Sequence, residues 1–175
     1  MTSQNLARDS VRWRTTLTAI GCTVLAMSAV AVSGRTADAA APENATAVYV
    51  PGLGDFMTSS VQPRHIKLGL AGRAQNWALA SYEMDELNES LEDVAHFHGT
   101  WDDIPVADLI ASLMAAPLEA TTKAIAAQSL PDFDAAYDQV TAGCNSCHQR
   151  TGHDYLVIQT PTQSPFPDQD FRPVK

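Results

Sequence analysis

The chain has 175 residues, the size of one ordinary domain, of which 45% are hydrophobic and 18% charged. Its 11 Lys and Arg stand against 20 Asp and Glu, a formal net charge of −9 at pH 7. This acidic balance gives no electrostatic basis for binding nucleic acid or anionic membranes, and it suits a basic partner instead. Frequent Ala and modest numbers of Val, Ile and aromatic residues favour helix over sheet.

Residues 1–39 have the pattern of a secretory signal peptide. A positive start with three Arg precedes an uncharged apolar run and then a stretch of small residues. The best cleavage site is Ala37-Asp38-Ala39, because cleavage after Ala41 would leave Pro42 first. A retained membrane anchor is the alternative, since the run is long enough, and a lipoprotein site at Cys22 fits less well. We therefore predict an exported, periplasmic protein.

Cleavage would change both the cysteine count and the charge. Cys22 would be lost, which leaves Cys144 and Cys147 as the two remaining cysteines. Four Arg and two Asp would be lost as well, so that 7 basic residues face 18 acidic ones, a net charge of −11. Residues 40–50 then form a small, polar lead-in.

Residues 51–152 are predicted to form four helices with short connections, and the first is the least clear. Its apolar positions are Leu53, Phe56, Met57, Val61 and Leu68. Because Pro63 interrupts this pattern, either a short turn precedes a helix from about Pro63, or one kinked helix begins near Leu53. Gly72 and Asn76 mark its end.

The second helix begins at about Trp77 and is amphipathic. Its apolar residues recur every three or four positions: Ala80, Met84, Leu87, Leu91, Val94 and Ala95, followed by His98. The other face carries Glu83, Asp85, Glu86, Glu89, Glu92 and Asp93. We expect this acidic face to be solvated and to have no metal role.

The third helix is predicted to start at Pro105, because proline is favoured at the beginning of a helix. Its stripe consists of Val106, Leu109, Ile110, Leu113, Ala120, Thr121 and Ile125. Pro117 falls inside this stripe and is expected to kink or split the helix, since a proline in a helix interior removes a hydrogen bond and crowds the preceding turn.

The fourth helix follows Ser129-x-x-Asp132, which predicts a capping box. Its stripe consists of Phe133, Ala136, Tyr137, Val140, Cys144 and Cys147. The two cysteines therefore continue a buried stripe and do not lie on a free loop. Residues 153–175, with four prolines, are predicted to form an extended tail packed on the domain.

The predicted fold class is all-α, an antiparallel up-down-up-down four-helix bundle, because short loops make successive helices antiparallel. This topology brings the C-terminal end of the fourth helix to the same end of the bundle as the start of the first. The end of the second helix and the start of the third lie there too.

Cys144-Asn145-Ser146-Cys147-His148 has the C-x-x-C-H spacing of c-type haem attachment. Two thiols add across the two vinyl groups of one porphyrin, and the adjacent histidine can bind the iron. Three other chemistries fit less well. A zinc site would need a further ligand pair, a thioredoxin-like dithiol a βαβ setting, and a disulfide across two residues of a helix would be strained.

With this motif on the last helix of a bundle, the chain resembles the class II c-type cytochromes, the cytochrome c′ group. The stretches "RHIKLGLAG", "NWALASYEMDEL" and "AYDQVTAGCNSCHQ" are similar to a small, exported bacterial branch of that group, and the resemblance covers about residues 50–171. It implies one covalent haem c on Cys144 and Cys147, with His148 as the proximal iron ligand. No methionine follows Cys147, so the class with a downstream Met ligand does not fit.

The resemblance leaves the sixth iron position open, because family members either keep it vacant or fill it with a Met from the first helix. We prefer His65, whose helical phase matches that of Val61 and Leu68, so that it can point inward. A buried imidazole needs a partner, and iron is one. Met57 is the runner-up and a vacant site the third possibility.

Other polar residues near this end have weaker assignments. Arg64 and Lys67 are candidates for contacts with the haem propionates, although an ordinary solvated face explains them equally well. His96 and His153 are expected to be surface histidines.

The expected function is that of an exported monohaem cytochrome in single-electron transfer, which is not an enzyme. The alternative is haem-based binding of small gases, nitric oxide or carbon monoxide, at an open distal site. A third class is a small zinc-binding interaction domain. The expected partner is a redox protein with a basic docking face, no nucleic acid is expected, and the chain is expected to be a monomer or homodimer.

Overall fold

Helices build the part of the chain that the structure, a computed structural model, describes: residues 49–174. The helical elements are α1 (Leu53–Phe56), a π-helical segment (Met57–Val61), α2 (Gln62–Arg73), α3 (Trp77–Phe97), α4 (Val106–Ala126) and α5 (Leu130–Arg150). Between residues 49 and 174 the only β-type pairing is an isolated bridge from Trp101 to Ile104. The all-α prediction is confirmed, while the predicted signal peptide and most of the lead-in lie outside the described residues.

The first predicted helix is continuous from Leu53 to Arg73. Of the two alternatives for this region, the helix that begins at Leu53 is the correct one. Pro63 fits because it follows the π-helical segment, in which the Gln62 N–H bonds the carbonyl of Met57, five residues back. This wider turn lies where a proline ring would otherwise crowd the preceding carbonyls.

The helices pack in a closed set, with α2 on α3, α3 on α4, α4 on α5, and α5 back on α2. Contacts between α2 and its neighbours run in reversed order along the chain. Ser60 on the π-helical segment faces Ser90, whereas Arg64 on α2 faces Glu83. This helix and α3 are therefore antiparallel, as expected for a bundle.

The α2–α5 pair has the same reversed order. His65 contacts Thr141, and eight residues later Arg73 pairs with Asp134. The two helices are thus antiparallel, because contact positions rise along α2 while they fall along α5. The complete up-down-up-down topology stays a prediction.

The buried core lies along the predicted stripes. Phe133, Tyr137 and Val140 on α5 are completely buried, and so is Val94 on α3. Cys144 packs against this core from the next turn of α5. The predicted buried stripe therefore reaches Cys144, while Cys147, one turn further on, is partly buried and lies outside the core.

Two glycines allow α2 to approach α5 closely. A Cβ atom added at Gly69 would lie 2.6 Å from the ring of Tyr137, and one at Gly72 would lie 2.0 Å from the ring of Phe133. Both rings are completely buried, so neither can move aside. The absence of side chains at these two positions sets the distance between the helices.

Gly72→Ala is expected to lower the free energy of unfolding by about 1–3 kcal/mol, the usual cost of overpacking a core. The helix propensity of Ala offsets about 1 kcal/mol at most, and it does not remove the clash with Phe133. Urea unfolding followed by circular dichroism measures the change. Gly54→Ala, where an added Cβ meets nothing within 4 Å, is the control. Equal stability of Gly72→Ala and the parent would contradict the prediction.

The predicted split at Pro117 and the predicted capping box at Ser129 are wrong. The helix α4 runs unbroken through Pro117, whose carbonyl accepts a hydrogen bond from Thr121 Oγ1 at 2.8 Å. Ser129 is the residue before α5, but its hydroxyl bonds Asp132 Oδ2 at 2.7 Å and caps no backbone N–H. The capping box is therefore replaced by a contact between the two side chains.

The acidic face of α3 is not solvated throughout. Glu83 is 1% exposed, because it turns towards α2 and accepts a hydrogen bond from Arg64 at 3.2 Å. Glu86 pairs with the same guanidinium at 2.7 Å. The expectation of a uniformly solvated face is thus corrected at the positions that meet α2.

The tail after α5 contains no helix up to residue 174 and lies along the bundle. Phe171 is buried among core residues, and Thr160 donates a hydrogen bond to Asp138 on α5. The Lys67 ammonium lies 4.9 Å from the centre of the Phe166 ring. These contacts join the tail to both α2 and α5.

Candidate functional site

A mainly apolar cavity of about 290 Å³ lies where the π-helical segment, α4, α5 and the tail meet. Its apolar walls include Leu53, Val61, Leu91, Val106, Ile110 and Met114. Cys144, Cys147 and His148 all line it. Tertiary packing therefore places both cysteines and the histidine of the C-x-x-C-H motif on the wall of one cavity.

Cys144 and Cys147 are free thiols one helical turn apart. Burial, and to a smaller extent the neighbouring Cys147, raises the pKa of Cys144 to about 11. Burial also raises the pKa of Cys147. Both groups are therefore protonated thiols at neutral pH, unlike the activated thiolates of reactive dithiols.

The His148 ring is oriented by a backbone carbonyl of the tail. Its Nδ1 lies 2.8 Å from the carbonyl oxygen of Leu156, so Nδ1 donates this hydrogen bond. The neutral ring then carries its lone pair on Nε2, which makes no hydrogen bond within residues 49–174. This arrangement is typical of a histidine that binds a metal, because the outer bond fixes tautomer and orientation.

This set of side chains fits a covalently attached haem. Two neutral thiols and one imidazole with a free nitrogen line the same cavity, whose other walls are largely apolar. Among the described residues, no three His, Cys, Asp or Glu side chains are grouped to hold a metal ion. That finding gives no support to a zinc site, whereas a haem brings four nitrogens of its own and needs only axial ligands.

His65 points inward, as its helical phase predicts, and is 2% exposed. Its Nε2 lies 3.0 Å from Thr141 Oγ1 and its Nδ1 lies 3.1 Å from Tyr137 Oη. The Tyr137 hydroxyl donates to the backbone carbonyl of His65 at 2.7 Å, so it accepts from Nδ1. Both ring nitrogens thus have hydroxyl partners, and the imidazole is satisfied without iron.

Burial lowers the pKa of His65 to about 4, so the ring is neutral at pH 7. We expect stability to fall on acidification, because the unfolded chain, with an ordinary histidine pKa near 6.5, binds a proton first. The contribution of His65 to the free energy of unfolding is therefore fully present above pH 6.5 and is lost as the pH falls towards 4. Between pH 7 and pH 5 the loss from this group is expected to be about 2 kcal/mol.

Urea unfolding at pH 7 and pH 5 measures this loss, with His65→Gln as the comparison. The variant keeps a polar side chain but has no group that titrates at this position, so its stability should change less over the same interval. Equal pH dependence in the two proteins would show that His65 does not titrate in this way.

Met57 also lines the cavity, at the first position of the π-helical segment. The α2–α5 contacts predict which residue it faces: His65 lies opposite Thr141, and Arg73 lies beside Asp134. Continuing this antiparallel register by two turns places Met57 at the level of His148. His65 is at the level of Thr141, seven residues and about 10 Å further along the axis of α5.

Neither Arg64 nor Lys67, the candidates for propionate contacts, lines the cavity. Arg64 is paired with Glu83 and Glu86, and Lys67 lies against Phe166 in the tail. Both cations are held outside because their positions on α2 face α3 and the tail.

His153 was expected to lie on the surface, but it lines the cavity beside the motif. Its ring packs against Trp101 at 5.1 Å between centroids. Gly152, with a φ of +74°, allows the chain to turn back immediately after α5. This glycine is the sequence signal that could have predicted the position of His153. His96 is exposed, as expected.

Comparison with protein-family models, with curated proteins and with solved structures finds no significant match to this chain. Its function is therefore inferred from the motif, the cavity and the side chains that line it.

Proposed function

We propose that this chain is a monohaem c-type cytochrome that transfers single electrons. One observation carries the proposal: Cys144, Cys147 and His148 line one largely apolar cavity, with the His148 Nδ1 already bonded to a carbonyl. The resemblance to the class II c-type cytochromes points the same way. No catalytic residues are assigned, because the proposed role is redox exchange without substrate turnover.

Cys144 and Cys147 would hold the haem c by thioether bonds, and His148 would bind the iron through Nε2. When bound, the haem supplies the one-electron redox chemistry. The residues of the chain orient the group and exclude water from it. Leu91 on α3 supplies apolar surface for this, together with Ile110 and Met114 on α4.

We assign the sixth position to Met57, which reverses the preference for His65 that the sequence suggests. Met57 and His65 both line the cavity, but the antiparallel register of α2 and α5 predicts that Met57 is at the level of His148. The Met57 thioether has no hydrogen bond to lose within residues 49–174. Iron binding by His65 would break its bond with Thr141, a net cost of about 1 kcal/mol for a typical hydrogen bond, and would require the ring to leave its stack with Tyr137.

The proposed setting is the periplasm, because of the signal-peptide pattern of residues 1–39. The acidic chain would be attracted to a redox partner with a basic docking face, and this attraction would weaken with salt.

The test is to produce the full chain together with a haem-attachment system and to record its absorption spectrum. We expect the spectrum of a low-spin haem that stays with the polypeptide after extraction with acidified organic solvent. The chain produced without the attachment system is the control and should lose its pigment. A colourless chain in both preparations would overturn the proposal.

A further inference from the structure

Asn145, the residue after the first cysteine of the motif, pairs with the backbone of the tail. Its Oδ1 accepts a hydrogen bond from the Ile158 N–H at 2.8 Å, and its Nδ2 donates to the Ile158 carbonyl at 2.9 Å. The side-chain amide thus engages both backbone groups of one residue. Attachment of a haem at C-x-x-C-H makes no use of the residue at this position, so these two bonds need another explanation.

The same short piece of tail also orients the histidine of the motif. Two residues before Ile158, the Leu156 carbonyl accepts the hydrogen bond from His148 Nδ1 at 2.8 Å. Leu156 and Ile158 both line the cavity. Asn145 and His148, three positions apart on α5, therefore bind the tail at two adjacent points.

Apolar burial does little to hold this segment in place. Tyr155 is 72% exposed, Leu156 46% and Val157 66%. Since exposed side chains gain little from leaving water, the position of the Leu156 carbonyl depends mainly on polar contacts. On the side towards α5, the Leu156 N–H bonds the His153 carbonyl at 2.8 Å. On the other side, the pair of bonds from Asn145 to Ile158 is the nearest polar contact.

The next anchors lie further along the tail. Thr160 donates to Asp138 at 3.0 Å, and the Pro161 carbonyl accepts from Arg73 at 3.1 Å. Loss of the Asn145 contacts would therefore loosen residues 157–159, and with them the peptide group that carries the Leu156 carbonyl, while the rest of the tail stayed against the bundle.

We infer that Asn145 is a positioning residue that sets the orientation and basicity of the His148 imidazole by holding the Leu156 carbonyl in place. The inference rests on the proposed function, in which His148 binds the haem iron. A hydrogen bond from the outer nitrogen makes an imidazole a stronger donor to its metal. A stronger donor stabilises the more positive, oxidised iron, so weakening the bond raises the reduction potential.

Asn145→Ala tests this, with Ser146→Ala as the matched control. Ser146 is the other residue between the two cysteines, and its hydroxyl bonds only the Ala142 carbonyl of its own helix, at 2.9 Å. Two quantities are measured on the haem-containing full chain at one pH: the reduction potential, and hydrogen exchange of the Ile158 amide. Asn145→Ala should raise the potential and speed the exchange, whereas Ser146→Ala should leave both near the values of the unaltered chain.

A second variant at the same position keeps the test possible if Asn145→Ala is produced in too small an amount. Asn145→Leu has nearly the same shape and adds no charge, but it neither accepts from the Ile158 N–H nor donates to the Ile158 carbonyl, so it should shift both quantities in the same direction. If the variants contain covalent haem and the potential is unchanged, the inference is wrong and the proposed function stands. If the unaltered chain takes up no haem, both are overturned.

Discussion

Replacing Cys144 and Cys147 together with serine is expected to abolish covalent haem attachment. Each attachment adds an S–H group across a vinyl C=C bond, so that the sulfur bonds one carbon and the hydrogen goes to the other. A serine hydroxyl does not undergo this addition under the same conditions. Either single variant should keep one thioether bond, because the two thiols act on different vinyl groups.

The measurement is the fraction of pigment that stays with the chain after extraction with acidified organic solvent. It should fall from nearly all in the unaltered chain to none in the double variant. Cys22→Ser is the control, because Cys22 lies in the segment that we predict to be removed, and it should leave the fraction unchanged. Pigment that resists extraction from the double variant would disprove attachment at these two cysteines.

Met57→Ala is expected to convert the haem from a low-spin to a high-spin form, because it removes the proposed sixth ligand. The absorption and electron paramagnetic resonance spectra report this change directly. The variant should also bind carbon monoxide more readily, since the position opposite His148 is then open. An alanine leaves the helix intact, so circular dichroism should show an unchanged helix content.

His65→Ala is the matched comparison for this prediction. It should remain low-spin, although it should lower stability by about 1–3 kcal/mol, because the buried Tyr137 and Thr141 hydroxyls each lose a partner. The opposite result, low-spin Met57→Ala and high-spin His65→Ala, would restore His65 as the ligand. A high-spin spectrum already in the unaltered chain would favour gas binding at an open site.

The all-α class and the haem motif can be predicted from the sequence because both depend on local spacing. Apolar residues three and four apart form one face of a helix wherever that helix lies, so the stripe from Phe133 to Cys147 predicts the buried side of α5. C-x-x-C-H is a five-residue pattern with one dominant chemistry. The helical phase of His65 likewise predicts that its side chain points inward.

The tertiary structure decides which partner each of these side chains meets. His65 and Thr141 are 76 positions apart, and no local pattern indicates that a hydroxyl on α5 satisfies the imidazole. Arg64 appears free to pair with a propionate until α3 brings Glu83 against it.

Local spacing and tertiary packing also account for different features of the segment from Cys144 to His148. The sequence by itself determines that Cys144, Cys147 and His148 are the groups that would hold a haem, because their spacing lies within one stretch of helix. Only the tertiary structure decides that Met57 and His148 line the same cavity and that Asn145 binds the tail. These relations join distant parts of the chain, and they exist only once α2, α5 and the tail have packed together.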